Sequence, residues 1–427
     1  MSRDPRRWRW LLWGLLAVSF VFVSLHRLST AVVAEDLMAA FQTTGAQLGT
    51  LHATFFYVYA IMQLPSGILA DRVGPRRTVA AGAAVMNVGA IGFAFADSYA
   101  VAFAARALIG LGGSVIFVSI LRFSANWYRA DEFSTMNGLA FATGGAGGLL
   151  ATAPLAVAVA AFGWRPTIAG LGAVGLALAG VVYLVVRDSP ERAGMKPIEG
   201  VPERSTLTND EVRANVGRVL RDRWTWVVGL LLFCTSGVNL TLLGLWGIPY
   251  VSQTYDVTVT FASTLTLLGT IGIVVGSPLI GWLADRLRRH TELIVLSTLG
   301  YTVALGTIAA VGRPPIAVVA VVFFAAGTLF GGVVLSYPII KDRHPDNASG
   351  ISTSSVNSAG FFGAALLPTL MGAALDTYWT GEFVGGARLY TETGYRVAFG
   401  LAAAFAFVAF VCAIWIHHNR RTMTAQP

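Results

Sequence analysis

The stretch GILADRVGPRR, residues 67–77, lies in a short gap between two apolar segments. A second version, GWLADRLRRH at 281–290, follows at an offset of 214 from Asp71 to Asp285. A charged hairpin that recurs once per half marks a membrane protein built from two related bundles. The neighbouring sequence repeats as well: FSTMNGLAFATGGAGGLLATAPL is echoed by NASGISTSSVNSAGFFGAALLPTL, with Gly138 matched to Gly350. Two separate landmarks with nearly the same offset point to two homologous six-helix units.

Composition agrees with that reading. Apolar residues make up 55% of the 427 positions and charged residues only 12%, a balance that a water-facing surface would not tolerate. Many windows of about 20 residues carry no charge, the length a helix needs to cross about 30 Å of hydrocarbon. Helices are predicted near 11–34, 49–70, 78–97, 100–124, 133–157, 165–186, 226–249, 259–283, 292–311, 315–339, 348–373 and 395–417. The expected architecture is an all-α polytopic membrane protein of twelve transmembrane helices in two pseudosymmetric bundles, 1–186 and 226–427, joined by a cytoplasmic linker at 187–225. The linker's end, Asn209 to Arg223, reads either as an amphipathic surface helix or as a plain tether, and 376–394 is a second extramembrane piece with a candidate lid role. Cys234 and Cys412 fall in predicted spans, which argues against a disulfide framework or a metal site.

Orientation follows from the basic residues. On this map 23 lie on the side of the N-terminus and four on the other side, Arg165, Arg313, Arg388 and Arg396. That bias places both termini in the cytoplasm, in an inner or plasma membrane. The net charge of +8 then reflects topology and anionic lipid, not nucleic-acid binding.

In the first hairpin Asp71 ends helix 2 and Gly74 permits a tight reversal. Arg72, Arg76 and Arg77 hold the loop in the cytosol and offer partners to carboxylates or helix C-termini. The expected role is conformational control, the alternative being topology anchoring alone. The second copy carries Asp285, Arg286, Arg288 and Arg289, with Arg288 where the first has Gly74, so a looser turn is expected there.

GILADRVGPRR resembles the loop signature of the major facilitator superfamily. ARALIGLGG, 105–113, is similar to that superfamily's fourth-helix motif, with Arg106, Gly110 and Gly112 in register. The resemblance implies a central cavity lined by helices 1, 4, 7 and 10. More finely, YVYAIMQLPSGILADRVGPRR (57–77), SILRFSANWY (119–128) and HRLSTAVVAEDL (26–37) resemble the organic-anion (anion:cation symporter) branch. That likeness implies that Arg27 and Arg122 bind a substrate carboxylate. Where proton-driven relatives carry acids on helices 1 and 4, this chain has His26 and Gly113, so the usual carboxylate relay is missing or displaced.

The residues themselves support part of this. An arginine in hydrocarbon costs roughly 2.5 to 3.5 kcal/mol, so Arg27, Arg106 and Arg122 should face protein or a wet cavity. Arg27 lies past the midplane and binds an anion or pairs structurally. Arg122, near the inner end of helix 4, can reach the interface. Arg106 is roughly 24 Å along that helix from Arg122 at about 1.5 Å per residue, so the two cannot clasp one small carboxylate. Arg106 is expected to pair with Glu35, Asp36 or helix carbonyls in a conformational role. His26 is open to proton coupling, polar packing or substrate contact. Tyr59 and Gln63, one turn apart, and Asn239, Trp246 and Tyr337 are candidates for the neutral part of a ligand.

The expected function is secondary active transport of a small organic anion, a carboxylate, by alternating access with proton-coupled uptake. The alternatives are anion exchange or facilitation without protons, and drug efflux. No nucleotide loop, metal-ligand group or catalytic triad stands out, so no enzyme, cofactor or metal is expected. The partners expected are the anion, protons and the bilayer, and one chain suffices mechanically.

Overall fold

The computed structural model describes residues 5–201 and 209–420. The first and last residues of both tails, to which the sequence assigns a cytoplasmic position, lie outside the described residues. Among the described residues ten helices are long and apolar enough to cross a membrane, and the number rises to twelve when each of two bent pairs is counted as one span. In chain order spans 1 to 6 are Arg7–Ala31, Gly45–Ile61 with Pro65–Val73, Pro75–Ala94, Tyr99–Trp127, Asp131–Leu150 with Ala153–Phe162, and Trp164–Val185. Spans 7 to 12 are Arg223–Tyr255, Val259–Leu287, His290–Val311, Ile316–Asp342, Ala348–Asp376 and Glu392–His418. Inner and outer below follow the orientation given by the basic residues.

The helix ends are built from side chains that meet exposed backbone N–H groups. On the outer side Thr44 forms a capping box with Gln47, and Ser98, Thr258 and Thr391 accept from Val101, Phe261 and Gly394. Asp222 performs the same task on the inner side for span 7, accepting from Trp224. The linker residues Asn209–Arg221 form a helix with Arg213, Arg218 and Arg221 on it, which is the amphipathic of the two expected forms. Segment 376–394 adds a two-stranded antiparallel hairpin, Trp379–Val384 with Ala387–Tyr390, outside the spans.

Spans 2 and 5 are broken, by 59° and 41°, bends that hydropathy did not reveal. Span 1 is helical to Leu28 and then tightens into a 3-10 turn at Ser29–Ala31. The repeat offset of 214 carries Ser29 to Leu243, inside a π-helical segment, Leu242–Trp246, that interrupts span 7. Spans 4 and 10 also change helix, after Ser114 and after Val334. The four segments expected to line the path are thus all interrupted, as spans 2 and 5 are, and each interruption frees backbone groups within the membrane, tolerated only where protein or water can satisfy them.

Span 2 packs on span 11 and span 5 on span 8. The contacts are tight outside: a Cβ on Gly372 would lie 2.1 Å from the Gly45 carbonyl oxygen, and one on Gly49 2.4 Å from that of Pro368. Farther in, Gly67 and Gly138 in the first half, and Gly281 and Gly350 in the second, face open space. The halves are in close backbone contact on the outer face, while a Cβ on any of these four glycines would have no neighbour from the other half within 4 Å.

Candidate functional site

Span 1 brings the first cation to the centre. Its helix ends near Leu28, so the carbonyls of His26 and Arg27 lose their intrahelical donors. Arg106 on span 4 meets both, Nη1 at 2.7 Å from the His26 oxygen and Nη2 at 3.1 Å from that of Arg27. A guanidinium thus caps the negative end of span 1. Of the partners expected for Arg106, helix carbonyls are the ones it has, and Glu35 instead accepts from the Ser252 hydroxyl. Arg106 is 1% exposed and its plane lies 5.4 Å over the Phe55 ring.

Arg27 is partly exposed. Its Nη2 donates to Ser24 Oγ at 3.2 Å, its Nε has no partner, and Tyr59 lies within its electrostatic reach. Among the described residues neither Arg27 nor Arg106 has a carboxylate partner. Two positive charges are thus close together with no protein carboxylate between them, Arg106 spent on backbone carbonyls and Arg27 partly exposed.

His26 points elsewhere. Its Nε2 lies 3.3 Å from Asn87 Oδ1 on span 3, and Asn87 in turn donates to the Ala83 carbonyl. The imidazole is 1% exposed and directed into the first half. His52 on span 2 is fully buried with neither ring nitrogen hydrogen-bonded. Its ring lies against Phe56 and the π segment of span 7, where a Cβ on Gly244 would come within 3.2 Å of Nε2.

Inward from Arg27, a polar ladder runs down span 2. Tyr59 packs against Phe361 of span 11 at 4.5 Å between ring centroids. One turn farther, Gln63 Oε1 accepts from Asn357 Nδ2 at 3.2 Å, and Asn357 Oδ1 accepts from the Tyr337 hydroxyl at 2.9 Å. The structure brings Gln63 and Tyr337 together through Asn357. Asn239 and Trp246 are turned into the second half: Asn239 beside Tyr301, and Trp246 donating its indole N–H to the Pro368 carbonyl.

Arg122 is set apart from Arg27. Its Nε meets Asp71 Oδ1 at 3.1 Å at the inner end of span 2. The physical reason is direction: span 4 runs inward, so five residues before Trp127 is an inner-face position whose nearest acid is that of the hairpin. Gly74 turns with φ +90°, and any Cβ there would strike the Asp188 carboxylate at 2.8 Å. Asp188 accepts from the Arg76 backbone N–H at 2.7 Å and pairs with Arg192, while Arg76 Nε donates to the Tyr183 carbonyl. Arg72 and Arg77 are exposed on the same face. In the second copy Asp285 meets His290 at 3.0 Å, Arg286 lies over Trp282, and Arg288 takes a left-handed φ of +54°. Sequence reading missed Arg9, counted only as a tail base: it forms a two-pronged pair with Glu132 at 2.8 and 2.6 Å and lies over Tyr128.

The sequence model of the Major Facilitator Superfamily matches residues 12–368 and, again, 236–427. The chain is 25% identical to the probable sulfoacetate transporter SauU of Cupriavidus necator over 82% of its length and 85% of that protein. It is 24% identical to the membrane sensor protein UhpC of Escherichia coli, with 89% of both covered. It is 23% identical to a probable hexose phosphate transport protein of Chlamydia trachomatis over 90% and 89%. The crystal structure of a bacterial homolog to the human lysosomal transporter Spinster, inward-facing and unoccupied, superposes with a TM-score of 0.82 at 14% identity, covering all of both chains.

Proposed function

The chain belongs to the Major Facilitator Superfamily, and on that premise we propose that it is a secondary transporter of a small organic anion, a carboxylate, working by alternating access. The observation that carries this reading is the Arg27 guanidinium, partly exposed, beside the buried Arg106 and without a carboxylate partner among the described residues. An unpaired cation at this depth is costly, and a bound anion removes that cost. The names of two relatives, a probable sulfoacetate transporter and a probable hexose phosphate transport protein, are of carriers for negatively charged solutes. A cationic site is poor for the hydrophobic cations of drug efflux. In this reading Arg27 takes the carboxylate, Tyr59 flanks it, and Gln63, Asn357 and Tyr337 meet the neutral remainder. Arg122 and Asp71 serve the inner hairpin.

A second reading, exchange without protons, draws on His26: bonded to Asn87 and facing away from the cavity, it is poorly placed to pass a proton to substrate. The test is flux in proteoliposomes challenged with a panel of small organic anions, with internal pH recorded. Anion entry is expected, lowered about 100-fold in Arg27→Gln at matched insertion, the scale of a lost hydrogen bond to a charged group. Equal flux in that variant would remove the site, and proton entry with the anion would reject exchange. Because one relative is a sensor protein, absence of any flux would place the chain with sensing.

A further inference from the structure

The outer face is held by a bond set that has no counterpart in the sequence motifs. Asp376 is the last residue of span 11, yet its carboxylate caps a helix in the other half. Oδ1 accepts from the Gly45 backbone N–H at 2.8 Å and Oδ2 from that of Ala46 at 2.9 Å, 331 and 330 residues away. Gly45 and Ala46 open span 2. Thr44 already satisfies the third N–H of that helix, at Gln47, so Asp376 takes the two that Thr44 leaves and places a negative charge at the positive end of the helix.

The carboxylate is itself held from behind. Arg388 Nη1 and the Tyr390 hydroxyl both reach Oδ1, at 3.2 and 3.3 Å, from the second strand of the hairpin. Gln253 on span 7 fixes that strand: its Nε2 donates to the Arg388 carbonyl, and its Oε1 accepts from the Tyr390 N–H and the Tyr395 hydroxyl. Asp376, Arg388, Tyr390 and Gln253 therefore travel with the second half, and Gly45 and Ala46 with the first. The two N–H bonds exist only while the outer face is shut, and a contact made in one state alone shifts the balance between states.

We propose that Asp376 is the outer latch of the transport cycle, a positioning residue whose cross-half cap of span 2 sets how much of the protein stands closed to the outside. The hairpin at 379–390 acts as the backing of that latch, and the proposal holds for any cargo.

Two cysteine reporters test it in oriented membranes. Thr50→Cys lies beneath the latch, since Thr50 Oγ1 is 3.3 Å from Thr369 Oγ1 across the seam. Gly138→Cys lies toward the inner end of span 5, where a Cβ meets nothing within 4 Å. Each is labelled with a membrane-impermeant maleimide, from outside and from inside respectively, with and without Asp376→Asn. The latch predicts outer labelling about tenfold faster and inner labelling slower, because one state gains what the other loses. Arg388→Gln, which leaves both N–H bonds in place, should shift the two rates in the same directions by a smaller factor, about threefold, and keeps the test open where Asp376→Asn inserts poorly. Rates that rise on both faces would mean general loosening, and rates unchanged on both would mean that the cap is inert; either result overturns the proposal.

Discussion

The outer and inner faces of this protein are bonded by opposite rules. Outside, the ties run from one half to the other: Asp376 to Gly45 and Ala46, Ser252 to Glu35, Thr50 to Thr369. Inside, the ion pairs bind each half to itself. Arg9 grips Glu132 and Arg122 meets Asp71 in the first half, while Arg343 meets Asp222 at 2.5 Å in the second. Polar bonds that stay within a half survive when the halves move, and those between halves must break. The arrangement fits two stiff bodies joined at the outer face and, deeper, by the Gln63–Asn357 and Ser358–Ala60 bonds, all of which rocking of the halves would have to break.

The seam can be broken most severely at Gly372. A leucine there would place its Cβ about where the Gly45 carbonyl oxygen sits, 2.1 Å away, and backbone cannot yield by that amount. Gly372→Leu is expected to abolish transport while the protein inserts, with the Thr50→Cys reporter fully accessible from outside; normal uptake would show that the seam need not close so tightly. A smaller effect is expected on the inner face from Gly74→Val. The new side chain would be strained at φ +90° and would collide with Asp188, a cost of about 1 to 3 kcal/mol. Thermal stability should fall, and the distribution between states, read by the same reporters, should move less than for Gly372→Leu. The smallest change separates the two hairpins. Arg288 holds a left-handed conformation that glycine adopts freely, so Arg288→Gly should raise stability by a few tenths of a kcal/mol to about 1. A drop in melting temperature would show that the Arg288 side chain has a partner that matters more than its backbone.

Much of this could be read beforehand, and the reasons differ by feature. The spans were legible because hydropathy depends on composition within a window. The unequal hairpins were legible because only one carries glycine at the turn. The arginines were visible as expensive residues in apolar segments, and the carbonyl partners of Arg106 were among those expected, but the partner of Arg122 was not. The different depths of Arg122 and Arg106 on span 4 could be read from spacing, but only the packing of the helices shows one beside Asp71 and the other against the carbonyls of His26 and Arg27. The bends in spans 2 and 5 and the π segment in span 7 left no mark on mean hydropathy, since a broken helix has the same composition as a straight one.

By itself, then, the sequence determined what must lie in lipid, that its motifs recur at a fixed offset, and that arginines stand within apolar segments before the linker. These are properties of local composition and of spacing along the chain. The tertiary structure decided that Arg122 meets Asp71 while Arg27 has no carboxylate partner among the described residues, and which polar groups tie the halves together. A hydrogen bond such as that from Gly45 to Asp376 joins residues 331 positions apart, and its existence depends on how whole helices pack rather than on any pattern near either end.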